Sequence, residues 1–406
     1  MRVLILSQYC WPEVDHKCLP LAKELKRDGH EVEILTGYPN RPTGKIYSGY
    51  KVKIYQKENI DGIIINRVPS YLNHSHSGLK RMISFMTFAI SASFIGQFLV
   101  KKHDIIFAYH APATIAIPAI YLKLIYGSKI FYDINDYWPD TVVELGMLKN
   151  KFLITLLTQY CNLTYKFLDK INVVSKGYKE KLIESGVSKE KISLIYNWSL
   201  PINNVKSVYF DQYSEIFKNY FTIVYAGNIG QAQNLNIILE VAEEFKKNGI
   251  KDIKFFIIGS GVEKRFLENA VINRKIGEYI IFTGFIPSDN VGQFLENASV
   301  LFLHLRKIPL FEITIPSKLV SYFIYSKPVL CGVGGESSDI ILESKSGICF
   351  EPENIIDLKL KILQLKNLDK SERNEMGKSG RKVYDTLFSF EIGTMKIINE
   401  IKKMAN

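Results

Sequence analysis

The 406 residues are 47% hydrophobic and 23% charged, with Gly and Pro scattered, which excludes a low-complexity chain and predicts two domains of roughly 150–200 residues, since one ordinary core is not that large. Net charge is +11, and the first 200 residues hold 26 Lys and Arg against 17 Asp and Glu. These basic residues form no long cluster and do not alternate with aromatics, so nucleic acid is not the expected partner; an anionic membrane surface or a diphosphate substrate accounts for the bias. Cys10, Cys18, Cys161, Cys331 and Cys349 contain no Cys-x-x-Cys pair, which leaves no basis for a disulfide framework or a structural zinc site. The opening apolar run is too short for a signal peptide, and a cytoplasmic protein is expected.

In chain order, "RVLILS" reads as a first buried strand. "CLPLAKELKRDG" follows as a helix in which Leu19, Leu21, Ala22 and Leu25 recur at helical spacing before Gly29 stops it. "HEVEILTG" and "GIIINRVP" are further strands. Residues 82–100 then run for nineteen residues without a charge, between Lys80-Arg81 and Lys101-Lys102, close to the ~18 residues of a membrane span. Ser84, Thr87, Ser91, Ser93 and Gln97 dilute this run, and the next strand, "DIIFAYH", must rejoin the same sheet. A membrane-associating or buried helix near 80–102 is therefore expected in preference to a crossing, and the basic flanks favour the bilayer interface. "SKIFYDIN", "KINVVSKGYKEKLIESG" and "KISLIYNW" complete a first domain over 1–198.

The rhythm breaks over 199–220, which reads as a connector. A second series then runs "FTIVYAGNIG", "IKFFIIGSG", "YIIFTGFIP" and "VLFLHL", each followed by a helical pattern, and then "KPVLCG" and "SGICFEP" in succession before an amphipathic helix to the C-terminus. This predicts a second Rossmann-like domain over 199–385, and a C-terminal helix over 386–406 placed to pack back on the first domain. Strands alternating with helices specify parallel, doubly wound sheets, in which ligands bind just beyond the strand C-termini.

Candidate site residues therefore lie after the strands. Gly227, Asn228 and Gly230 form a turn between strand and helix, where small residues and free helix N–H groups could receive an anion; any such fold also needs a turn there. Gly259 and Gly261 follow "FFII", Gly284 follows "IIF", and Arg306 and Lys307 follow "LFLHL". Pro316 and Ser317 occupy natural helix-start positions. Lys318 is poorly placed for the helix dipole, which argues for an anionic partner. With Glu336, after Gly334-Gly335, these residues outline a pocket able to neutralise a diphosphate.

The blocks "QYCWPE", "DGHEVEILTGYPNRPTGKIYSGY", "INDYWPD", "YAGNIGQAQNL", "IIGSG", "FTGFIP", "IPSKLVSYFIYSKPVLCGVGGES" and "SGICFEPEN" stand in this order over nearly the whole chain. Together they resemble a retaining GT-B glycosyltransferase of family 4, in the branch that adds N-acetylated amino sugars to lipid-linked precursors of bacterial O-antigens and capsules. The resemblance implies an α/β, GT-B fold of two Rossmann-like domains facing a central cleft. It also implies a UDP-sugar on the second domain, bound at Gly227, Asn228, Gly230, Gly259, Gly261, Gly284, Arg306, Ser317, Lys318 and Glu336, and an acceptor on the first, met by Trp11, Tyr38, Asn40, His110, Asn135 and Trp138. No cofactor or metal is expected; the sequence holds no Asp-x-Asp, and Arg306, Lys318 and loop amides would stabilise the departing UDP. The chain departs from the family in two places. Ser321 and Ile313 stand where many members carry Glu-x7-Glu, with Glu312 one residue early, and Asn135 stands where a histidine is common.

Within "FYDINDYWPD", Asp136 would face the reacting centre, while Asp133 points elsewhere. A carboxylate there could accept the acceptor's proton or stabilise charge on the sugar ring; a cap on the following turn is its plain alternative. Glu13 is the second carboxylate candidate, with a helix-start charge as its plain alternative. His110 could touch an acceptor phosphate or be a satisfied core histidine. His74 and His76 fit a loop near the lipid head group better than a metal site. The expected function is metal-independent, retaining transfer of an N-acetylated amino sugar from a UDP-N-acetylhexosamine-type donor to a polyprenyl-diphosphate-linked saccharide, at the inner face of the cell membrane. A UDP-amino-sugar epimerase of the same fold and a non-catalytic membrane-bound partner subunit are the alternatives.

Overall fold

The computed structural model describes residues 1–405 apart from 14–16, 42, 74–76, 111, 145 and 201–205; His74 and His76 lie outside the described residues. The chain divides into two compact units, Met1–Tyr196 with Gly393–Asn406, and Asn197–Ile392.

The first unit is built on strands β1 (Arg2–Leu6), β2 (Glu31–Thr36), β3 (Gln56–Ile60), β4 (Ile63–Arg67), β5 (Ile105–His110), β6 (Lys129–Ile134), β7 (Lys170–Val173) and β8 (Ile192–Leu194). They form one sheet in the order β3-β4-β2-β1-β5-β6-β7-β8, parallel except for the β3–β4 hairpin. Val3, Ile5, Ile105, Phe107, Ile130 and Phe131 are fully buried, as expected where helices cover both faces of a parallel sheet. Helix Cys18–Arg27 buries Cys18, Leu19, Leu21, Ala22 and Leu25 on one face, and Gly29, at φ +87°, turns the chain back into β2. The apolar segment of the sequence becomes helix Gly78–Phe94, capped by Ser77, and a separate turn of helix Gly96–Leu99. Among the described residues no helix is long and apolar enough to cross a membrane.

Residues Gly393–Asn406 complete this unit. Lys402 reaches Asp28 at 2.7 Å, Glu400 meets Lys170 at 3.0 Å and Ser193 at 3.1 Å, and Ile397 and Ile401 are fully buried.

A charged network lies at the carboxyl end of β6. Asp133 Oδ2 accepts from Lys17 Nζ at 2.5 Å and from Asn135 Nδ2 at 3.0 Å, while its Oδ1 accepts from Asn172 Nδ2 at 2.6 Å. The Asp133 and Lys17 side chains are 0% and 5% exposed. Removing one partner strands the other charge in a dry site. Lys17→Met is therefore expected to lower stability by about 3–5 kcal/mol, read as a fall in the urea midpoint with an unchanged slope.

The second unit carries β9 (Phe221–Ala226), β10 (Ile253–Ile258), β11 (Ile280–Gly284), β12 (Val300–His304), β13 (Val329–Gly332) and β14 (Gly347–Cys349), all parallel, in the order β11-β10-β9-β12-β13-β14. Its core joins the sheet residues Ile223, Phe255, Ile257 and Phe302 to Ile238, Val241 and Phe245 of helix Asn236–Lys247. On the opposite face Phe210, Phe217, Phe256 and Phe294 pack with ring centroids 4.5–6.4 Å apart, the tilted and edge contacts that aromatic quadrupoles favour.

Candidate functional site

In the second unit three glycine-bearing loops lock together beyond β9, β10 and β11. Gly227 N–H donates to Ile258 O, Ile229 N–H to Ser260 O and Gly259 N–H to Gly284 O, each at 2.9 Å. Gly227 and Gly259 have φ of +140° and +136°, where a side chain is strained. A Cβ on Gly259 would fall on the Gly227 carbonyl oxygen, and one on Gly261 on that of Ile229. The expectation of free loop amides needs correcting here. The N–H groups of Gly227 and Ile229 are spent on the neighbouring loop, and that of Gly230 on Gln233 Oε1 at 3.1 Å.

Positive charge comes from Lys318 instead. It occupies the first turn of helix Ser317–Ile324, with Pro316 at the N-cap, and its side chain lies where a Gly227 Cβ would be. Nζ sits 5.0 Å from the Tyr225 ring centroid, within cation–π range. No carboxylate pairs with it among the described residues, and burial lowers its pKa to about 8. The family's second glutamate position is Ser321, whose hydroxyl donates to Ser317 O at 3.1 Å within the helix, so it offers no replacement for a ribose-binding carboxylate.

The other residues expected on the donor side stand at or beyond the ends of the neighbouring strands β12 and β13. Arg306 N–H donates to Ala232 O at 2.9 Å, and its half-exposed guanidinium has Nε 4.0 Å from Glu353 Oε1. Buried His304 is fixed as the neutral Nδ1–H tautomer: its Nδ1 faces Gln233 O at 2.8 Å while Nε2 accepts from Glu353 N–H at 3.1 Å. Glu336 is buried at the start of helix Glu336–Ser344. It follows Gly335, at φ +62°, whose Cβ would fall on the Glu312 carbonyl oxygen.

In the first unit Asp136 lines a pocket of about 80 Å³ with Tyr9, Arg41, Arg81, Phe85 and Trp138. Asp136 is exposed to solvent, yet protein atoms crowd its carboxyl, and that crowding raises its pKa, opposed by the positive charges of Arg41 and Arg81. Arg41 stacks 4.3 Å from the Tyr9 ring centroid. Trp138 packs against Phe85 at 6.0 Å.

Several acceptor-side expectations also need correction. Glu13 is 5% exposed, and its Oε1 accepts the N–H groups of Asn40 and Arg41 at 2.5 and 2.8 Å. Its placement is that of a brace for the Arg41 loop. Tyr38 is 1% exposed, its hydroxyl accepting from Lys53 N–H. Asn40 donates to Tyr38 O. Asn135 commits both ends of its amide, Nδ2 to Asp133 and Oδ1 to Lys17. His110 is buried beside Tyr132 and Trp138, and burial pushes its pKa down to about 3, so it is neutral and set behind the pocket wall. Trp11 remains partly exposed, its carbonyl accepting from the fully buried Arg67 at 2.6 Å.

Residues 18–198 match the family model for Glycosyltransferase Family 4, and residues 210–383 match the model for Glycosyl transferases group 1. The chain is a GT-B glycosyltransferase. It is 26% identical over 345 residues, 82% of this chain and 83% of the other, to WcaI of Escherichia coli (strain K12), which is named as a colanic acid biosynthesis glycosyl transferase. Its fold matches the crystal structure of Anabaena HepE in complex with UDP with a TM-score of 0.70, at 13% identity over 99% of this chain and 100% of that one. It also matches WaaG, a glycosyltransferase involved in lipopolysaccharide biosynthesis, with a TM-score of 0.64, at 12% identity over 98% and 99% of the two chains.

Sequence reasoning missed two residues of the glycosyltransferase's first-unit pocket. Arg81 reads as one of the basic flanks of the apolar segment, and Arg41 is one residue in a recognised block; only the fold brings both to Asp136. For the second unit, Gly259→Ala combines backbone strain with a clash against main chain. It is expected to cost about 1–3 kcal/mol, seen as a lowered Tm, and to weaken nucleotide binding in a titration at a temperature where the variant is folded.

Proposed function

We propose that this glycosyltransferase moves an N-acetylated amino sugar from a UDP-sugar to a polyprenyl-diphosphate-linked saccharide during synthesis of a bacterial surface polysaccharide, with retention at the anomeric carbon and without a metal ion. The observation that carries the reading is Lys318, a cation without a carboxylate partner among the described residues, lodged against glycine loops at the carboxyl ends of β9 and β10. A diphosphate fits that need, because its charge sustains the protonated lysine and the lysine in turn stabilises UDP as it departs. The UDP bound by HepE and the polysaccharide role in the name of WcaI support the donor class and the pathway class. The sequence blocks support the amino sugar and the lipid-linked acceptor.

In the first unit the acceptor hydroxyl approaches Asp136, which accepts its proton or orients it, while the leaving phosphate assists attack on the same face of the sugar. The enzyme works at the inner face of the membrane, where its basic first half meets anionic lipid. The test offers a panel of radiolabelled UDP-sugars with lipid-linked acceptor in detergent and with EDTA. Label is expected in the lipid extract from a UDP-N-acetylhexosamine. A folded protein that transfers from no UDP-sugar, or only when magnesium or manganese is restored, overturns the reading.

A further inference from the structure

The pocket around Asp136 contains more charge than proton transfer requires. Arg41 and Arg81 both line it, and neither guanidinium pairs with a carboxylate among the described residues. Two guanidiniums line the pocket against the single lining carboxylate of Asp136, with Glu13 a second acidic group acting on Arg41 from behind, and an anion is the ligand that two converging arginines favour. Tyr9, Phe85 and Trp138 supply apolar and stacking walls beside them.

The placement of the pocket narrows the choice of anion. Arg81 sits in the first turns of helix Gly78–Phe94, and Met147, just before helix Lys151–Phe167, forms another part of the wall. The two segments touch there, since a Cβ on Gly78 would stand 2.6 Å from the Met147 carbonyl oxygen. From that point each helix carries an exposed apolar stripe at helical spacing. One is Leu79, Ile83, Met86, Ile90 and Phe94; the other is Phe152, Leu156, Leu163 and Phe167. Leu79 and Phe152, at the pocket end, are 73% and 75% exposed. Lys80, Lys149 and Lys151 are exposed beside them, the pattern of a surface that meets hydrocarbon and anionic head groups together.

We propose that this pocket binds the diphosphate of a lipid-linked acceptor through Arg41 and Arg81, with the hydrocarbon leaving past the helix ends at Leu79 and Phe152 and the sugar directed to Asp136. This rests on the lipid-linked acceptor of the reading above and assigns its charged group to two arginines. Glu13, which receives the Arg41 N–H, then acts as a positioning residue that holds one of them.

Calorimetric titration of farnesyl diphosphate into the full-length protein in detergent tests the site without requiring transfer. The wild type is expected to bind it in the presence of saturating UDP, and to bind inorganic pyrophosphate and farnesol more weakly. Arg41→Gln and Arg81→Gln should each weaken binding about tenfold or more, as loss of a charge-assisted contact does, and Arg81→Lys should recover part of it. A thermal melt of each variant followed by circular dichroism confirms that both units remain folded. Competition between farnesyl diphosphate and UDP, equal affinity for pyrophosphate and farnesyl diphosphate, or affinity unchanged in both glutamine variants overturns the proposal. Arginine-dependent binding in a protein that transfers from no UDP-sugar sinks the proposed reaction and leaves this site standing. Transfer with arginine-independent binding does the reverse.

Discussion

Lys318→Met is expected to lower kcat for sugar transfer by about 10²–10³-fold, the usual consequence of removing a preorganised charge from a departing anion. The lysine projects from a helix N-terminus, where the dipole disfavours a cation, its Nζ is 5.0 Å from the Tyr225 centroid, and no carboxylate pairs with it among the described residues. Burial has already lowered its pKa to about 8, so the free enzyme loses this charge as pH rises through about 8 and keeps it below. The rate constant kcat/KM for the donor, which reports the free enzyme, is therefore expected to decline above about pH 8. In Lys318→Arg the guanidinium stays charged, and the decline should vanish even where the longer side chain costs rate. Saturating donor should push the decline in kcat to higher pH, since a bound diphosphate favours the protonated form. A steady-state pH series on the wild type, Lys318→Arg and Lys318→Met checks all three statements. A profile flat through pH 9, or Lys318→Met retaining most of its rate, would remove the donor-side cation from the mechanism.

The architecture was legible because buried parallel strands appear as short apolar runs and the helices between them as one-sided patterns. β3 escaped this reading. Its "QKENI" is a polar edge strand, antiparallel to β4 and only half-buried, so neither an apolar run nor a clean alternation marks it. The apolar segment at 82–100 was legible as a helix but not as two, since the break after Phe94 is marked only by Gly96 and Gln97, and an isolated glycine inside a helical pattern does not by itself end it. Gly227 and Gly259 were legible because only glycine tolerates their backbone and their close approach. The fate of their amides was not, because the acceptors Ile258 and Gly284 lie at the ends of other strands. The same distance in sequence concealed the commitment of Asn135 to Lys17, and the meeting of Arg41, Arg81 and Asp136. A chemical group declares itself in sequence; its partner, tens of residues away, does not.

Asp136→Asn is expected to lower kcat for transfer by about 10²–10³-fold while leaving UDP affinity unchanged, within the range for loss of a positioned proton acceptor. Asparagine keeps the shape of the side chain and its hydrogen-bonding reach but cannot take a proton, so the pattern of loss separates two roles. A base shows as a fall in kcat at unchanged acceptor KM, whereas an orienting group shows mainly in KM. The pH profile provides the second criterion. Enclosure raises the pKa of Asp136 and the two arginines oppose the rise. Its active carboxylate form is therefore lost on acidification at a higher pH than for an ordinary aspartate, and the acid limb of kcat/KM for the acceptor should lie correspondingly high. Arg81→Gln removes one of the opposing charges, so the limb should move further up in pH; in Asp136→Asn it should disappear. The direction of that movement separates an electrostatic link between Arg81 and Asp136 from simple loss of acceptor affinity, which lowers the whole profile without displacing it. A limb that stays in place when Arg81 is neutralised, or persists in Asp136→Asn, assigns the titration to another group and leaves Asp136 as a wall of the pocket.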